Sequence, residues 1–391
     1  MLGAGNPITS AKTLLSVNQP EGFDCPGCAW GDPKHTSSFE FCENGVKAVS
    51  WEATSKRCTP EVMAQHTVTW LAAQDDHTLE ALGRLTHPMI YDAGTDTELV
   101  SDVVAQCDMV QGGVEDMPRF ISVLREHRPY AIMHFAAQVG PHVERQPWSS
   151  LHTNLLGTVN MLECARLADV PKVIFPSSKM VYGPVALRHQ HPGYEPVTEN
   201  HPREPNNFYG KLKRATEDFA AHYAALYGLD VIAFRFGSSF GPGKRGRHKV
   251  AVAALIEAAI AGEPMHLAHG AEQCDDLCYS GEAARASLAA LQAPASPGSF
   301  RAYNIASGEL MSLAQIIAVL RRLYPGWDGR AGTGLDYRDM GVGHYFAMAI
   351  GKAEHELGYQ PQLDFASAVR DYAALLKVRD QATVRTGNST V

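Results

Sequence analysis

The sequence predicts an α/β protein in which helices cover a parallel sheet, and three apolar runs carry that prediction. The runs are Tyr130 to Ala137, Lys172 to Ser178 and Leu229 to Phe236, and continuous runs are expected of strands buried on both faces. Between the first two, apolar residues recur at helical spacing from Leu155 to Leu162. Apolar runs that alternate with helical patterns are typical of a parallel sheet.

Composition and charge limit the classes of function. The chain has 391 residues, a length that predicts two or three domains. Of these residues 45% are hydrophobic and 19% charged, which is an ordinary globular composition. Its net charge of -8 does not suit a phosphate backbone, and the one basic run, Lys244 to Lys249, is typical of a solvated loop. No apolar run of about 18 residues occurs. We therefore expect a cytoplasmic protein that binds neither nucleic acid nor membrane.

The character of the chain changes near Thr97. The preceding part is loop-rich, with one helical pattern that begins at Thr59 and Pro60, whereas alternating strand and helix patterns follow. Farther along, Ser312 to Gln315 has the form of a capping box before an apolar helical stripe. The regular α/β part is therefore expected to lie after residue 97.

Tyr209 and Lys213 lie four residues apart, where a helix is predicted to begin. A tyrosine hydroxyl has a pKa of about 10 and is a poor base unless a positive charge stabilises its phenolate. One helical turn places Lys213 on the same face, where its ammonium can supply that charge. Ser178, at the end of a predicted strand, can share a hydrogen bond with the substrate oxygen. The three groups predict a proton-transfer site for an alcohol that loses a hydride.

The strings around these residues resemble the NAD-dependent epimerase/dehydratase family, the extended short-chain dehydrogenases. In chain order they are HFAA from His134, NLLGTVNMLE from Asn154, PSSKMVYG from Pro176, FYGKLKRATE from Phe208 and RFGSSFGPG from Arg235. The resemblance covers about residues 98–376. It implies a Rossmann-like, doubly wound parallel sheet with a smaller C-terminal α/β substrate region.

The resemblance also implies roles for individual residues. Tyr209 would be the acid/base, Lys213 would bind the nicotinamide ribose of NAD and lower the tyrosine pKa, and Ser178 would complete the triad. The residues implied along the cofactor are His134, Ala136, Ala137 and Lys213. The residues assigned to substrate binding are Arg245, Arg247 and Tyr279. The family forms dimers through two helices per subunit, one of which carries the Tyr/Lys pair, so a homodimer is implied.

The residues that follow Ser178 favour one reaction of the family. Sugar-nucleotide 4,6-dehydratases carry Asp-Glu there, whereas this chain has Lys179 and Met180, which cannot act as that acid/base pair. The sequence therefore resembles a UDP-sugar 4-epimerase, in which a hydride leaves the sugar for NAD and returns to its other face. A nucleotide sugar is the implied substrate. Asp275 stands where an arginine commonly contacts the substrate phosphate, and we expect its carboxylate to repel the diphosphate.

One element of the family is missing from its expected place. Family members begin with a strand, a glycine-rich loop and a helix that together hold the cofactor pyrophosphate, and nothing between Glu98 and Tyr130 provides them. The acidic residue expected after the second strand is also missing. Without these strands Tyr130 to Ala137 would have an unpaired edge. Either residues 1–97 supply replacement strands, with Pro88 to Asp92 as the candidate, or the sheet is incomplete.

The N-terminal segment resembles a different family. Phe23 to Arg57 is similar to the N-terminus of formate-dehydrogenase-like molybdopterin oxidoreductases, and the similarity extends over about residues 11–97. A Cys-x-x-Cys pair suits an iron-sulfur cluster or zinc, although unligated thiols are an equal alternative. The candidate metal ligands are Cys25, Cys28 and Cys42, with Cys58 or His35 as a fourth.

These patterns divide the chain into four parts. They are a cysteine-containing segment at 1–97, a truncated NAD-binding domain with the triad at 98–240, a mainly substrate-binding region at 241–376 and a flexible tail at 377–391. Three functions stay open from the sequence. The chain is a nucleotide-sugar 4-epimerase, a non-catalytic fusion product of that family, or an N-terminal metal or electron-transfer module on a scaffold.

Overall fold

The chain folds around a seven-stranded α/β sheet. The computed structural model describes residues 12–16, 37–42, 45–50, 89–92, 108–139, 141–242 and 251–387. The strands are β1 (Lys12–Ser16), β2 (Ser37–Cys42), β3 (Gly45–Ser50), β4 (Met89–Asp92), β5 (Asp108–Gln111), β6 (Ala131–His134), β7 (Lys172–Ser178), β8 (Asp230–Phe236), β9 (Ser238–Phe240), β10 (Met265–Leu267), β11 (Cys274–Tyr279), β12 (Phe300–Ile305), β13 (Leu310–Ser312) and β14 (Gly329–Ala331).

Helices cover the sheet and build the C-terminal region. They are α1 (Met117–His127), α2 (Pro141–Arg145), α3 (Pro147–Ser150), α4 (Gly157–Leu167), α5 (Phe208–Tyr227), α6 (Ala251–Ala261), α7 (Ser280–Gln292), α8 (Leu313–Leu323), α9 (Gly351–Leu357) and α10 (Phe365–Gly387). A π-helical turn at Leu151–Leu156 joins α3 to α4. None of the helices in the described ranges combines the length and apolar character needed to cross a bilayer.

The main sheet has the order β12-β8-β7-β6-β1-β4-β5. Four neighbouring strands, β12, β8, β7 and β6, run parallel. Alternate side chains enter cores on opposite faces: Ile174 and Ile232 belong to one buried cluster, and Val173 and Val231 to the other. Because both faces are covered, these strands carry the continuous apolar runs from which they were predicted. The predicted α/β fold is confirmed.

Replacement strands close the edge that the sequence left open. β4 confirms the candidate at Pro88 to Asp92, and it runs parallel to β5. β1, which the sequence did not reveal, lies between β6 and β4 and runs antiparallel to both, with Thr13 opposite His134 and Leu15 opposite Met89. The edge of β6 is therefore paired. The sheet is mixed, where the sequence predicted an entirely parallel one.

The strand β4 also corrects the expectation that no acidic residue follows the family's second strand. Two antiparallel pairings bring β4 parallel to β6, so the carboxyl ends of both strands lie at the same edge of the sheet. The last residue of β4 is Asp92. An acidic residue therefore stands at the carboxyl end of the strand that takes the second strand's place.

Smaller sheets and a second core form the C-terminal region. β11 lies between β13 and β9, and β10 pairs with β14. A buried cluster that includes Leu255 of α6, Ile316 of α8 and Tyr372 of α10 packs beside them. The predicted capping box is confirmed, since Ser312 accepts from the Gln315 N–H and the Gln315 side chain accepts from the Ser312 N–H.

Candidate functional site

The structure brings Ser178, Tyr209 and Lys213 together at the carboxyl end of β7. Ser178 is the last residue of that strand, and Tyr209 and Lys213 lie on the first two turns of α5. The helix begins there because Asn207 caps it, its side-chain oxygen accepting from the Gly210 N–H at 2.7 Å. Side chains of a helix lean toward its N-terminus, which directs the tyrosine toward the strand end.

Glu144 fixes the same helix end from a second direction. One carboxylate oxygen of this α2 residue accepts from the N–H groups of Phe208 at 2.9 Å and Tyr209 at 3.2 Å. These N–H groups have no partner within the helix, and a negative charge at a helix N-terminus is favourable. Glu144 is a site residue that the sequence did not reveal, because nothing in its spacing from Tyr209 indicates a contact.

Tyr209 is held as a neutral phenol. Burial raises the pKa of Tyr209 to about 12, and the hydrogen bond with Ser178 opposes that rise. Ser178 Oγ also accepts from the Met180 N–H at 3.2 Å. The sequence predicted that Lys213 lowers the tyrosine pKa, whereas the net change here is a rise whose main cause is burial. The Lys213 ammonium lies 5.9 Å from the centroid of the tyrosine ring.

Lys213 is buried beneath the tyrosine. Its Nζ donates to the Pro176 carbonyl oxygen at 2.6 Å. Burial lowers the pKa of Lys213 to about 8, while the negative charge of Glu217 acts in the opposite direction. The charged form is therefore held in a poorly solvated position close to the strand ends.

A buried ion network supports the triad from below. Glu217, one helical turn beyond Lys213, accepts two hydrogen bonds from Arg235, at 3.0 Å from Nε and 2.7 Å from Nη2. Arg203 Nη1 and Ser177 Oγ also donate to its carboxylate, at 3.0 Å and 2.5 Å. The network ties α5 to β7 and β8. The apolar run Leu229 to Phe236 predicted the strand that carries Arg235 but did not indicate this role.

The residues assigned to the cofactor lie at the end of β6. His134 is buried, and its Nε2 hydrogen bonds with Thr158 Oγ1 at 3.1 Å. Burial, assisted by the charge of Lys213, lowers the pKa of His134 to about 3, so the ring is neutral at neutral pH. Ala136 is buried and Ala137 is partly buried. These small side chains leave room beside the strand end.

Tyr279, assigned to substrate binding, contacts the C-terminal helix α10. Tyr279 is buried and donates to Asp371 Oδ2 at 2.6 Å. The assigned residues Arg245, Arg247, Cys25 and Cys28 lie outside the described ranges, as do the alternative metal ligands Cys58 and His35. The helix predicted from Thr59 lies outside them too. Cys42 is the last residue of β2. Across the described ranges, no group of three or more His, Cys, Asp or Glu is placed to hold a metal ion.

Asp275 does not present the unpaired carboxylate that the sequence led us to expect. Its Oδ1 lies 2.5 Å from the Lys179 ammonium, and both side chains are buried. Ser238 Oγ donates to Oδ2 at 2.5 Å. The two departures from the family pattern, a lysine after Ser178 and an aspartate in place of an arginine, therefore compensate each other.

A serine, tyrosine and lysine at the carboxyl end of a parallel strand define the class of short-chain dehydrogenases. Within it, residues 61–306 match the family described as NAD dependent epimerase/dehydratase, and this chain belongs to that family. UDP-glucuronate 4-epimerase 2 of Arabidopsis thaliana is 27% identical over 281 residues, which are 68% of this chain and 62% of that protein. The structure of UDP-glucose 4-epimerase from Thermotoga maritima with UDP-glucose has a TM-score of 0.65 at 23% identity, covering 74% of this chain and 90% of that one. That likeness shows a shared fold.

A second relative shares a shorter stretch. Protein YdeP of Escherichia coli (strain K12) is 55% identical over 83 residues, which are 21% of this chain. The chain spans 11% of the length of that relative. Its name states no activity, so the resemblance of residues 11–97 to formate-dehydrogenase-like proteins stays a prediction. The family match begins at residue 61, so β4 lies inside the matched region.

Proposed function

We propose that this chain is an NAD-dependent nucleotide-sugar 4-epimerase. The observation that carries the proposal is Ser178 in hydrogen bond with Tyr209 at the strand ends, with the Lys213 ammonium buried below. A positioned hydroxyl of this kind can take a proton from an alcohol and return it. Membership of the family and two similar proteins named as 4-epimerases of UDP sugars support the substrate class.

The residues that would hold NAD fit its nicotinamide end. Among the described residues, the Pro176 carbonyl is the one hydrogen-bond acceptor of the Lys213 ammonium, which leaves two of its three donors for the ribose hydroxyls. Ala136 and Ala137 leave space for the ring. Asp92, at the end of β4, stands where an acidic residue holds the adenosine ribose in such folds. Bound NAD would supply a hydride acceptor at the sugar carbon.

The pyrophosphate end has no such match in the described ranges. Family members hold it with a glycine-rich turn that leads from the central strand into a helix. Here β1 takes the central place but runs the opposite way. Within the ranges that the structure describes, no glycine-rich turn leads from β1 into a helix. Cofactor binding is therefore the first property to measure.

Proton transfer is the task of Tyr209 and Ser178. Ser178 would hydrogen bond the sugar hydroxyl and orient it, and the Tyr209 phenolate would accept its proton. Because the tyrosine pKa is about 12 in the free protein, the phenolate is rare until ligand charge lowers that pKa. The Lys213 charge favours the phenolate through its proximity. Tyr209 would then give the proton back to the same sugar oxygen.

A homodimer is the partner that the surface supports. Trp148, Phe219 and Leu226 are exposed by 74%, 46% and 58%, and they lie on α3 and α5. Phe219 and Leu226 lie seven residues apart on α5 and so share a face, and exposed apolar residues that share a face are typical of an interface. Light scattering on the purified chain tests this: we expect a dimer that Phe219→Glu converts to a monomer. A monomeric wild-type chain at micromolar concentration would contradict it.

The proposal is tested by NAD binding and then by turnover. Calorimetric titration should show binding tighter than roughly 100 µM, equivalent to about -5.5 kcal/mol. Tyr209→Phe should retain NAD binding and lose turnover of a UDP sugar by about 10²-fold or more. Tyr227→Phe, at the exposed end of the same helix, is the matched control and should keep full activity. Absence of NAD binding would instead favour the cofactor-free alternative.

A further inference from the structure

Lys179 and Asp275 are two buried charges that proton transfer does not use. The ammonium of Lys179 lies 2.5 Å from Asp275 Oδ1 and 5.2 Å from the centroid of the Phe346 ring. Asp275 is fixed from its other side, since Ser238 Oγ lies 2.5 Å and the Tyr337 hydroxyl 3.4 Å from Oδ2. Within the described part of the chain, Asp275 is the one hydrogen-bond acceptor of this ammonium, so two of its three donors remain.

Two cations lie beside the one carboxylate of this pair. Arg338 Nη1 lies 3.9 Å from Asp275 Oδ2 and donates to Ser238 Oγ, so two cations share one carboxylate.

An unpaired nitrogen lies close to the same lysine. His344 is buried, and its Nδ1 has no hydrogen-bond partner among the described residues. Burial and the charge of Lys179 hold the pKa of His344 below its usual value. Unfilled donors on a buried ammonium and an unpaired buried nitrogen are both unfavourable without a ligand. An anionic group bound to Lys179 would relieve both, with Nδ1–H of His344 as a further donor.

We propose that Lys179 determines specificity by binding a carboxylate on the sugar, so that the substrate is a nucleotide-linked uronic acid. The inference rests on the proposed epimerase function and adds the class of sugar to it. Asp275 is a positioning residue in this account. Its carboxylate, held by Ser238 and Tyr337, sets the direction of the Lys179 ammonium and does not contact the substrate.

The place of Lys179 in the chain decides between the two anions of such a substrate. Lys179 follows Ser178 directly where β7 ends, at the edge of the sheet that carries the triad. In this proposal its ammonium faces the sugar beside the reacting carbon. In a hexuronic acid the carboxylate is attached to the ring carbon next to C4, whereas the diphosphate is attached across the ring at C1. The carboxylate is therefore the nearer anion when C4 reacts.

The test compares three probes on the full chain by calorimetry: UDP, UDP-glucose and UDP-glucuronate. We expect UDP-glucuronate to bind at least about tenfold more tightly than UDP-glucose, a difference of about 1.4 kcal/mol. Lys179→Met should abolish the preference without changing the affinity for UDP. Lys179→Arg, which keeps the charge, should retain most of it. Lys211→Met removes an exposed lysine of α5 and should change nothing.

A variant that leaves Asp275 buried without its partner is at risk of unfolding. The double variant Lys179→Met/Asp275→Asn removes both charges and provides the second measurement, in which we expect a folded protein without the preference. Equal binding of the two sugars by the wild-type chain would overturn the inference. So would a Lys179→Met variant that weakens all three probes equally, since Lys179 would then serve the diphosphate. No binding of UDP at all would overturn the proposed function as well.

Discussion

Replacement of Lys213 by methionine should change the pH dependence of stability. Burial lowers the pKa of Lys213 from 10.5 to about 8. At 1.36 kcal/mol per pKa unit, a shift of that size makes the charged lysine unfavourable by about 3 kcal/mol in the folded state. The side chain is almost completely buried, so solvent screening does not reduce this figure much.

The sign of the effect follows from the number of bound protons. Between pH 8 and 10.5 the unfolded chain holds the lysine proton and the folded chain has released it, so the free energy of unfolding of the wild type rises with pH in this window. Below pH 8 both states are protonated and the full penalty applies. Lys213→Met removes the penalty, but it leaves the Pro176 carbonyl without its donor, at a pH-independent cost of about 1–3 kcal/mol.

The measurement is urea unfolding of both proteins at pH 7, 8.5 and 10. Relative to the wild type, Lys213→Met should be more stable at pH 7 than at pH 10 by about 2.5 kcal/mol, whatever its absolute stability. Lys211→Met, two residues away and exposed, is the control and should differ from the wild type by the same amount at every pH. A Lys213→Met difference that does not change with pH would refute the reasoning.

Three further outcomes follow from buried groups. Burial lowers the pKa of His134 to about 3, so the free energy of unfolding of the wild type should fall by up to about 5 kcal/mol as pH falls from 6.5 to 3. Urea unfolding in acid should show a smaller fall for His134→Gln. Parallel stability curves for the two proteins would contradict this. Glu217→Gln leaves Arg235 buried without a counter-charge and should lower the free energy of unfolding by about 3–5 kcal/mol. Asp218→Asn, which removes an exposed partner of Arg203, should change it by less than about 1 kcal/mol. Equal effects of the two variants would contradict the role of the buried network. In Gly210→Ala the added Cβ would overlap a backbone carbonyl oxygen, and thermal unfolding should show a loss of about 1–3 kcal/mol; an unchanged Tm would contradict it.

The elements that the sequence revealed are those whose signal is local. Apolar runs of strand length predicted β6, β7 and β8, because strands buried on both faces need no polar positions. The spacing of Tyr209 and Lys213 predicted that they share a helix face, and the structure places both on α5. Ser312 and Gln315 revealed a helix start because a capping box lies within four consecutive residues.

The features that the sequence did not reveal depend on contacts between distant residues. β1 is five residues long, KTLLS, and it joins the sheet through backbone hydrogen bonds that any extended segment can make. Lys179 and Asp275 were each recognised as departures from the family pattern, but nothing in either local stretch indicated that they pair. Glu144 likewise contacts α5 across a wide gap in the chain. The one indication in the sequence that Lys179 and Asp275 pair was that these two departures from the family pattern carry opposite charges.

The position of β1 bears on the rate at which the sheet forms. It joins β6 to β4, and its pairing with β6 connects residues 13 and 134, whereas β7 and β8 can pair with each other independently of it. Bringing such distant segments together loses more chain entropy than local pairing does, and sheets dominated by non-local pairing fold slowly. Until β1 docks, β6 and β4 both have free edges that can pair with other chains. Refolding at high protein concentration is therefore the condition under which this chain is most exposed to aggregation.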